Sequence, residues 1–208
     1  MKVSAVITAN KFRTDTVKNN PSGIIIVFLS VALGLICGCI VYAAADGSLF
    51  SPLGEYFISF ATDFSNKNKP EIFSGLIVSD IPYFLAMLIL GLSALGAAPA
   101  LLLSFLKSAG IGAVATYLYS AYSLEGIEYC LLVLFPSNAV MLFAMLVFTH
   151  SCYITSVKIN RQIRNKDEAD VELQKYFVRS GLIYCVFVIA AVIRFLTIIS
   201  FTSLFSFS

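Results

Sequence analysis

The sequence has little charge and few of the side chains on which most active sites depend. Charged residues make up 12% of the chain, and histidine occurs once, as His150. The sequence has no glycine-rich phosphate loop, no H-E-x-x-H zinc motif and no G-x-S-x-G nucleophile motif. A Ser-His-Asp site would have to combine His150 with an acid from a solvated connection, where nothing would hold that acid in place. We therefore predict that the chain is not an enzyme and uses no cofactor.

The charge balance and the cysteines argue against two further classes. A formal net charge of +2, divided among short segments, gives no support for nucleic-acid binding. The cysteines are odd in number and lie in or beside apolar runs, which argues against a disulfide framework. Two of them form a C-x-C pair whose side chains would point apart on a helix, so we predict no metal site. The five are Cys37, Cys39, Cys130, Cys152 and Cys185.

The sequence does have long apolar runs. Hydrophobic residues make up 59% of its 208 residues, and the mean hydropathy is +0.88, which is typical of a polytopic membrane protein. We predict an all-α helical bundle with about five transmembrane helices in a single membrane domain, residues 23–208. The predicted spans are residues 23–44, 75–97, 99–122, 127–157 and 178–205.

The distribution of charge predicts an orientation. Residues 1–22 form a basic segment without a signal-peptide core, and residues 158–176 carry a second group of lysines and arginines. Because basic connections stay in the cytoplasm, the N-terminus is expected inside and the C-terminus outside. The acidic connection 45–72 is then external, and its aromatic residues suggest a short helix at the membrane surface.

The stretch Tyr83–Tyr122 contains one charge, Lys107, and is about twice as long as one crossing requires. We expect it to turn once on the cytoplasmic side, at about residues 97–99, with the ammonium of Lys107 reaching the headgroups from about two helical turns above the break. The alternative is a turn at Lys107 itself. Small side chains recur every four residues in its second half and predict a helix-packing stripe, or else part of a solute path. The expected turn residues are Gly91, Gly96, Pro99, Lys107, Ser108 and Gly110, and the stripe is Ser104, Ser108, Gly112, Thr116 and Ser120.

Four other positions are singled out by residue type. A G-x-x-x-G pair, Gly34 and Gly38, predicts close helix packing in the first span. Asp80 is expected to cap the outer end of the second span, and the alternative is a buried acid. Arg194, in the last span, should face a partner, with Asp80, Glu125 and Glu128 as candidates.

The fourth span is interrupted by Pro136-Ser137-Asn138. Proline removes a backbone donor, so a kinked or broken helix is expected there, with Asn138 supplying a compensating bond. The single histidine, His150, is expected to be a helix-contact residue near the inner end of the same span.

Two motifs resemble the stage II sporulation protein M family. The first lies in GLSALGAAPALLLSFLKSAGIGA and the second is LFPSNAV. Serine follows Lys107 where the family pattern has glycine, and Arg194 stands where members commonly have an acid. The matching residues are Gly91, Gly96, Pro99, Phe105, Lys107, Gly110, Gly112, Pro136 and Asn138.

The resemblance implies a multi-pass protein of the bacterial cell membrane that acts in sporulation, when the mother cell engulfs the forespore. It implies a scaffold at the septal membrane that anchors two peptidoglycan-degrading partners, stage II sporulation proteins D and P. A small-solute permease or transporter subunit is the alternative, suggested by Lys107, His150, Arg194 and the break at Pro136.

Overall fold

The computed structural model describes residues 21–44, 69–165 and 173–201, all of which are helix or the turns between helices. The basic segment 1–20, the connection 45–68, residues 166–172 and the tail 202–208 lie outside the described residues, so the predicted surface helix does too. Within the described residues the prediction of an all-α fold is confirmed. Five α-helices follow in order: α1 Pro21–Ala44, α2 Lys69–Gly91, α3 Ala97–Tyr129, α4 Phe135–Asn165 and α5 Leu173–Phe201.

Four of the described helical segments are long and apolar enough to cross a membrane. They are Gly23–Ala44, Phe73–Gly91, Ala97–Asn160 and Leu173–Ser200. The first has the same bounds as the predicted first span. Its helix begins at Pro21, a position where the missing N–H of proline costs nothing. Most large side chains on the outer surface of the bundle are apolar, as lipid contact requires.

The third of these segments is a helical hairpin. Its 64 residues would extend about 96 Å as one straight helix. The chain instead reverses at Ser123, whose φ of 50° and ψ of −120° are not helical. The hydroxyls of Ser104 and Thr149, 45 residues apart, consequently lie at 2.6 Å. Gly126 permits the reversal, because a Cβ there would overlap the carbonyl oxygen of Leu118.

The turn between α2 and α3 lies a few residues before the break that we predicted at about residues 97–99, and the alternative of a turn at Lys107 is wrong. α2 ends at Gly91, and residues 92–96 form the turn, with Leu92 N–H donating to the Ile89 carbonyl and Gly96 N–H to the Ser93 carbonyl, both at 3.1 Å. Its neighbouring positions are apolar, so no polar signal marks it. Of the six expected turn residues only Gly91 and Gly96 flank or belong to it, and Pro99, Lys107, Ser108 and Gly110 lie within α3.

Contacts between the helices fix their relative directions. α1 and α3 run parallel, since Ser30 bonds to the Leu101 carbonyl and Tyr42 lies by Ser120. α2 is parallel to α4, since Phe84 contacts Phe148 and the Met87 carbonyl lies by Cys152. It is antiparallel to α5, since Phe73 contacts Phe195 and Phe84 contacts Tyr184. The odd-numbered helices therefore point one way along the bundle, and α2 and α4 point the other way.

The core lies between α2, α4 and α5. Its fully buried members include Met87, Met145 and Phe148, with Phe187 beside them. Phe84 stacks on Phe148 with ring centroids 5.2 Å apart and tilts against Tyr184 at 4.8 Å. α1 packs mainly along α3 and contributes Val31 to this core.

Candidate functional site in the helix bundle

An ion pair joins the middle of α2 to the first half of α3. The Lys107 ammonium is 2.9 Å from Oδ1 of Asp80. The expectation that Asp80 caps a helix end is wrong, because α2 begins at Lys69 and carries Asp80 in its interior. The expectation that Lys107 reaches the headgroups is wrong as well, since its ammonium is bound by Asp80. A charge at this depth is stabilised by a partner of opposite sign.

Tyr83 completes the surroundings of Lys107. Its ring centroid is 5.6 Å from the Lys107 ammonium, within the range of a cation–π contact. The side chains of Lys107 and Asp80 remain 29% and 16% exposed, so the pair lies at the edge of the bundle rather than at its centre. The arrangement holds a cation between α2 and α3 while leaving one side of it accessible.

A small polar cavity adjoins Asp80. Its volume is about 10 Å³, which is space for about one water molecule. Asp80 comes from α2, Ser137 and Asn138 from α4, and Arg194 from α5. We had named three acids as candidate partners of Arg194, and of these Asp80 lines this cavity together with Arg194. Leu76, Met141, Ala190 and Ala191 supply the apolar walls. Asp80, Lys107, Tyr83, Ser137, Asn138 and Arg194 are called the polar cluster below.

The predicted irregularity at Pro136 is present as a π-helical turn, Cys130–Leu134, directly before α4. π-turns inside α-helices are frequent at functional sites. Asn138 was expected to supply the compensating bond, but other side chains donate here. The Ser137 hydroxyl is 3.1 Å from the Leu134 carbonyl, and the Thr197 hydroxyl of α5 is 3.0 Å from that of Val133. Asn138 lines the cavity instead.

The α1–α3 interface is formed by the predicted glycines. A Cβ added to Gly34 would lie 2.5 Å from the Phe105 carbonyl oxygen and would overlap the Ser108 hydroxyl. One added to Gly38 would overlap the Ala109 carbonyl, and one added to Gly112 would overlap that of Leu35. The two backbones are therefore in direct contact, and this interface has no room for a ligand.

The remaining residues of the small-residue stripe face different neighbours. Ser104 bonds to Thr149 of α4, whereas Ser108 donates to carbonyls of its own helix beside α1. Ser120 lies 3.2 Å from the Tyr42 hydroxyl, and Thr116 donates to the Gly112 carbonyl. Thus the stripe joins α3 to both α1 and α4.

Three residues of the family motif lie around the turn. A Cβ on Gly91 would overlap the phenol of Tyr176, and one on Gly96 would overlap the Leu90 carbonyl. Pro99 lies in the first turn of α3. Gly110 differs from the other glycines of the motif, since nothing lies within 4 Å of a Cβ built there.

The sequence did not identify the side chains that hold this turn. The Tyr176 hydroxyl lies 3.3 Å from the carbonyl oxygens of both Met87 and Leu88, and the Ser156 hydroxyl donates to the Ser93 carbonyl at 2.7 Å. The acceptors are backbone carbonyls, which no residue type marks in the sequence. They could have been identified only if the position of the turn had been known. His150 is half-buried on α4 near Gly23, in accordance with a helix-contact role.

Comparison with known proteins gives one match. The sequence model of stage II sporulation protein M matches residues 24–194, which include both motifs and most of the described helices. No curated protein and no solved structure matches the chain. Within the described residues no group of three or more His, Cys, Asp or Glu side chains is placed to bind a metal ion.

Proposed function

Because this chain belongs to the stage II sporulation protein M family, and is thus a sporulation-related membrane protein, we propose that it is a non-enzymatic membrane scaffold. In this role it anchors and localises stage II sporulation proteins D and P, which degrade peptidoglycan, during engulfment of the forespore. The site of action is the septal or engulfing membrane of the mother cell. The partners cut the wall, and this chain keeps them at the place where cutting is needed.

The observation that supports this role is how the described helices use their polar groups. Lys107 pairs with Asp80, Ser104 bonds to Thr149, and Ser156 bonds to the Ser93 carbonyl. The cavity beside Asp80 has room for about one water molecule. Groups used in this way stabilise a rigid bundle, which is what an anchor requires.

The proposed topology has five crossings, with the N-terminus in the cytoplasm and the C-terminus outside. The alternating helix directions support it, because the hairpin at Ser123 counts as two crossings. Lys158, Lys175 and Arg179 lie at one end of the bundle, and Glu71 and Glu125 lie at the other. The positive-inside rule places the first end in the cytoplasm.

Affinity purification of the full chain from sporulating cells in mild detergent tests the proposal. We expect the D- and P-type proteins to co-purify with it, and deletion of the chain to stop engulfment. A Gly38→Leu variant should retain less of both partners, whereas Gly75→Leu, on the open side of α2, should retain them. Loss of both partners from the wild-type preparation, together with normal engulfment after deletion, would contradict the proposal.

A small-solute permease is the second candidate, favoured by the charged side chains around the cavity. Replacing Lys107 and Arg194 by methionine separates the two functions. A permease would lose flux in reconstituted vesicles while still assembling, whereas a scaffold would change in partner retention and not in flux.

A further inference from the structure

Lys107 has more hydrogen-bond donors than its described neighbours accept. An ammonium group carries three N–H donors. Within residues 21–44, 69–165 and 173–201, one of them is given to Asp80 at 2.9 Å, and the ring of Tyr83 lies 5.6 Å away. The side chain is 29% exposed, so its remaining donor capacity is directed toward the outer surface of the bundle.

Gly110 lies beside Lys107 on that surface. Residues three apart on a helix are neighbours, and Gly110 is exposed, with nothing within 4 Å of a Cβ built there. Glycine inside a helix costs about 0.5–1 kcal/mol relative to alanine. At Gly34, Gly38 and Gly112 a contacting backbone explains that cost, but no contact of the described chain explains it at Gly110.

These two residues lie beside an exposed line of apolar side chains on α3. Leu102 and Leu106 continue that line through Gly110. We call this the outer α3 face. It is apolar apart from Lys107, and its cation lies about 15 Å from the start of α3, near the middle of a bilayer.

We infer that the outer α3 face binds a transmembrane helix of a partner protein that carries a carboxylate near the bilayer midplane. The carboxylate would accept a hydrogen bond from Lys107, and the partner backbone would pack on Gly110. Inside the bilayer a single partner segment must form all its backbone hydrogen bonds within itself, and only a helix does so. Complementary charge selects aspartate or glutamate, since the polar cluster contains two cations, Lys107 and Arg194, and one acid, Asp80, and a charge-assisted bond is the strongest that Lys107 can make.

A second copy of this chain does not fit the same surface. Among the described helices Asp80 is the acid placed near mid-helix, and it already holds its own Lys107. Glu71, Glu125 and Glu128 lie toward helix ends. The occupant is therefore another protein, and this inference rests on the proposed scaffold role.

The test uses synthetic helices as probes. The full chain, labelled at its N-terminus, is reconstituted in vesicles of phosphatidylcholine and phosphatidylglycerol. Leu/Ala peptides of about 21 residues with a central Glu, Gln or Leu are then titrated by energy transfer. We expect the Glu peptide to bind about ten-fold more tightly than the Leu peptide, with the Gln peptide between them.

Variants locate the contact. Gly110→Leu should weaken binding of the Glu peptide about ten-fold. Gly181→Leu, at an equally open glycine on α5, should leave this binding unchanged. The double variant Asp80→Asn/Lys107→Gln removes the ion pair without leaving a lone charge, and it should abolish the preference for Glu. Its helical content by circular dichroism shows that it still folds.

Equal binding of the three peptides, or equal effects of the two leucine substitutions, would overturn the inference. Self-association of the labelled chain that depends on Lys107 would overturn it in favour of a second copy. If the peptides fail while the D- and P-type proteins still co-purify, the docking site is wrong and the scaffold role stands. If the wild-type chain retains neither protein, the scaffold role itself fails.

Discussion

The α1–α3 interface and the polar cluster hold their helices together by opposite means. Gly34, Gly38 and Gly112 let two backbones touch, and this contact depends on shape alone. The polar cluster joins α2 to α3 through the charges of Asp80 and Lys107 and borders a small cavity. The first contact is sensitive to any added atom and indifferent to charge. The second tolerates small changes in volume and depends on charge balance.

Breaking the charge balance should have the largest effect. Asp80→Ala leaves Lys107 as a lone cation in a membrane helix, where an unpaired charge costs about 2.5–3.5 kcal/mol. The free energy of unfolding, measured in lipid-detergent bicelles, should fall by about that amount. Asp80→Asn/Lys107→Gln should recover most of it. An Asp80→Ala protein as stable as the wild type would show that the ion pair does not stabilise the fold.

Adding volume to the α1–α3 interface should have the next largest effect. Gly38→Leu must displace the Ala109 backbone, and overpacking of this kind costs about 1–3 kcal/mol. Gly181→Leu adds the same atoms where the surface is open, and it should be neutral or slightly stabilising. The same unfolding assay compares them. Equal stabilities would mean that α1 packs elsewhere in the membrane.

Removing one hydroxyl near the turn should have a smaller effect. Tyr176→Phe keeps the ring against Gly91 and loses the hydrogen bonds to the Met87 and Leu88 carbonyls. We expect a loss of about 1 kcal/mol. Tyr119→Phe, on an exposed side chain, is the matched control. A loss no greater than that of the control would assign the role of Tyr176 to packing alone.

The smallest expected effect is the coupling between α3 and α4. Ser104 and Thr149 share a hydrogen bond of 2.6 Å inside the bundle. A double-mutant cycle of Ser104→Ala and Thr149→Val should give a coupling energy of about 0.6 kcal/mol, the average for such bonds in membranes. A coupling near zero would indicate that each hydroxyl is satisfied by its own helix, through Ala100 and Met145.

Much of the fold could be predicted from apolar run lengths, and the contact glycines from their spacing. The polar cluster could not, because it depends on one turn. Antiparallel helices pair residues that are equally distant from the turn between them, so a turn at residues 92–96 brings Asp80 opposite Lys107. The turn contains Leu92 and Leu95, and its apolar character concealed it.

Arg194 and Pro136 illustrate a second limit. From its residue type, Arg194 was predicted to face a partner within the bundle, and Pro136 was predicted to interrupt its helix. Arg194 lines a cavity with Asp80, and a π-helical turn precedes Pro136. The neighbours come from other helices, however. Thr197 of α5 reaches the Val133 carbonyl from 64 positions away. Which helix faces which is a property of the assembled bundle, and local sequence does not contain it.

The parallel packing of α1 on α3 has a consequence for biogenesis. Ser30 finds its acceptor, the Leu101 carbonyl, 71 residues later in the chain. At a synthesis rate of about 5–20 residues per second, the ribosome takes roughly 4–14 s to produce that distance. Throughout this interval the first helix resides in the lipid with its glycine groove unfilled, so insertase and chaperone proteins have their best access to it then.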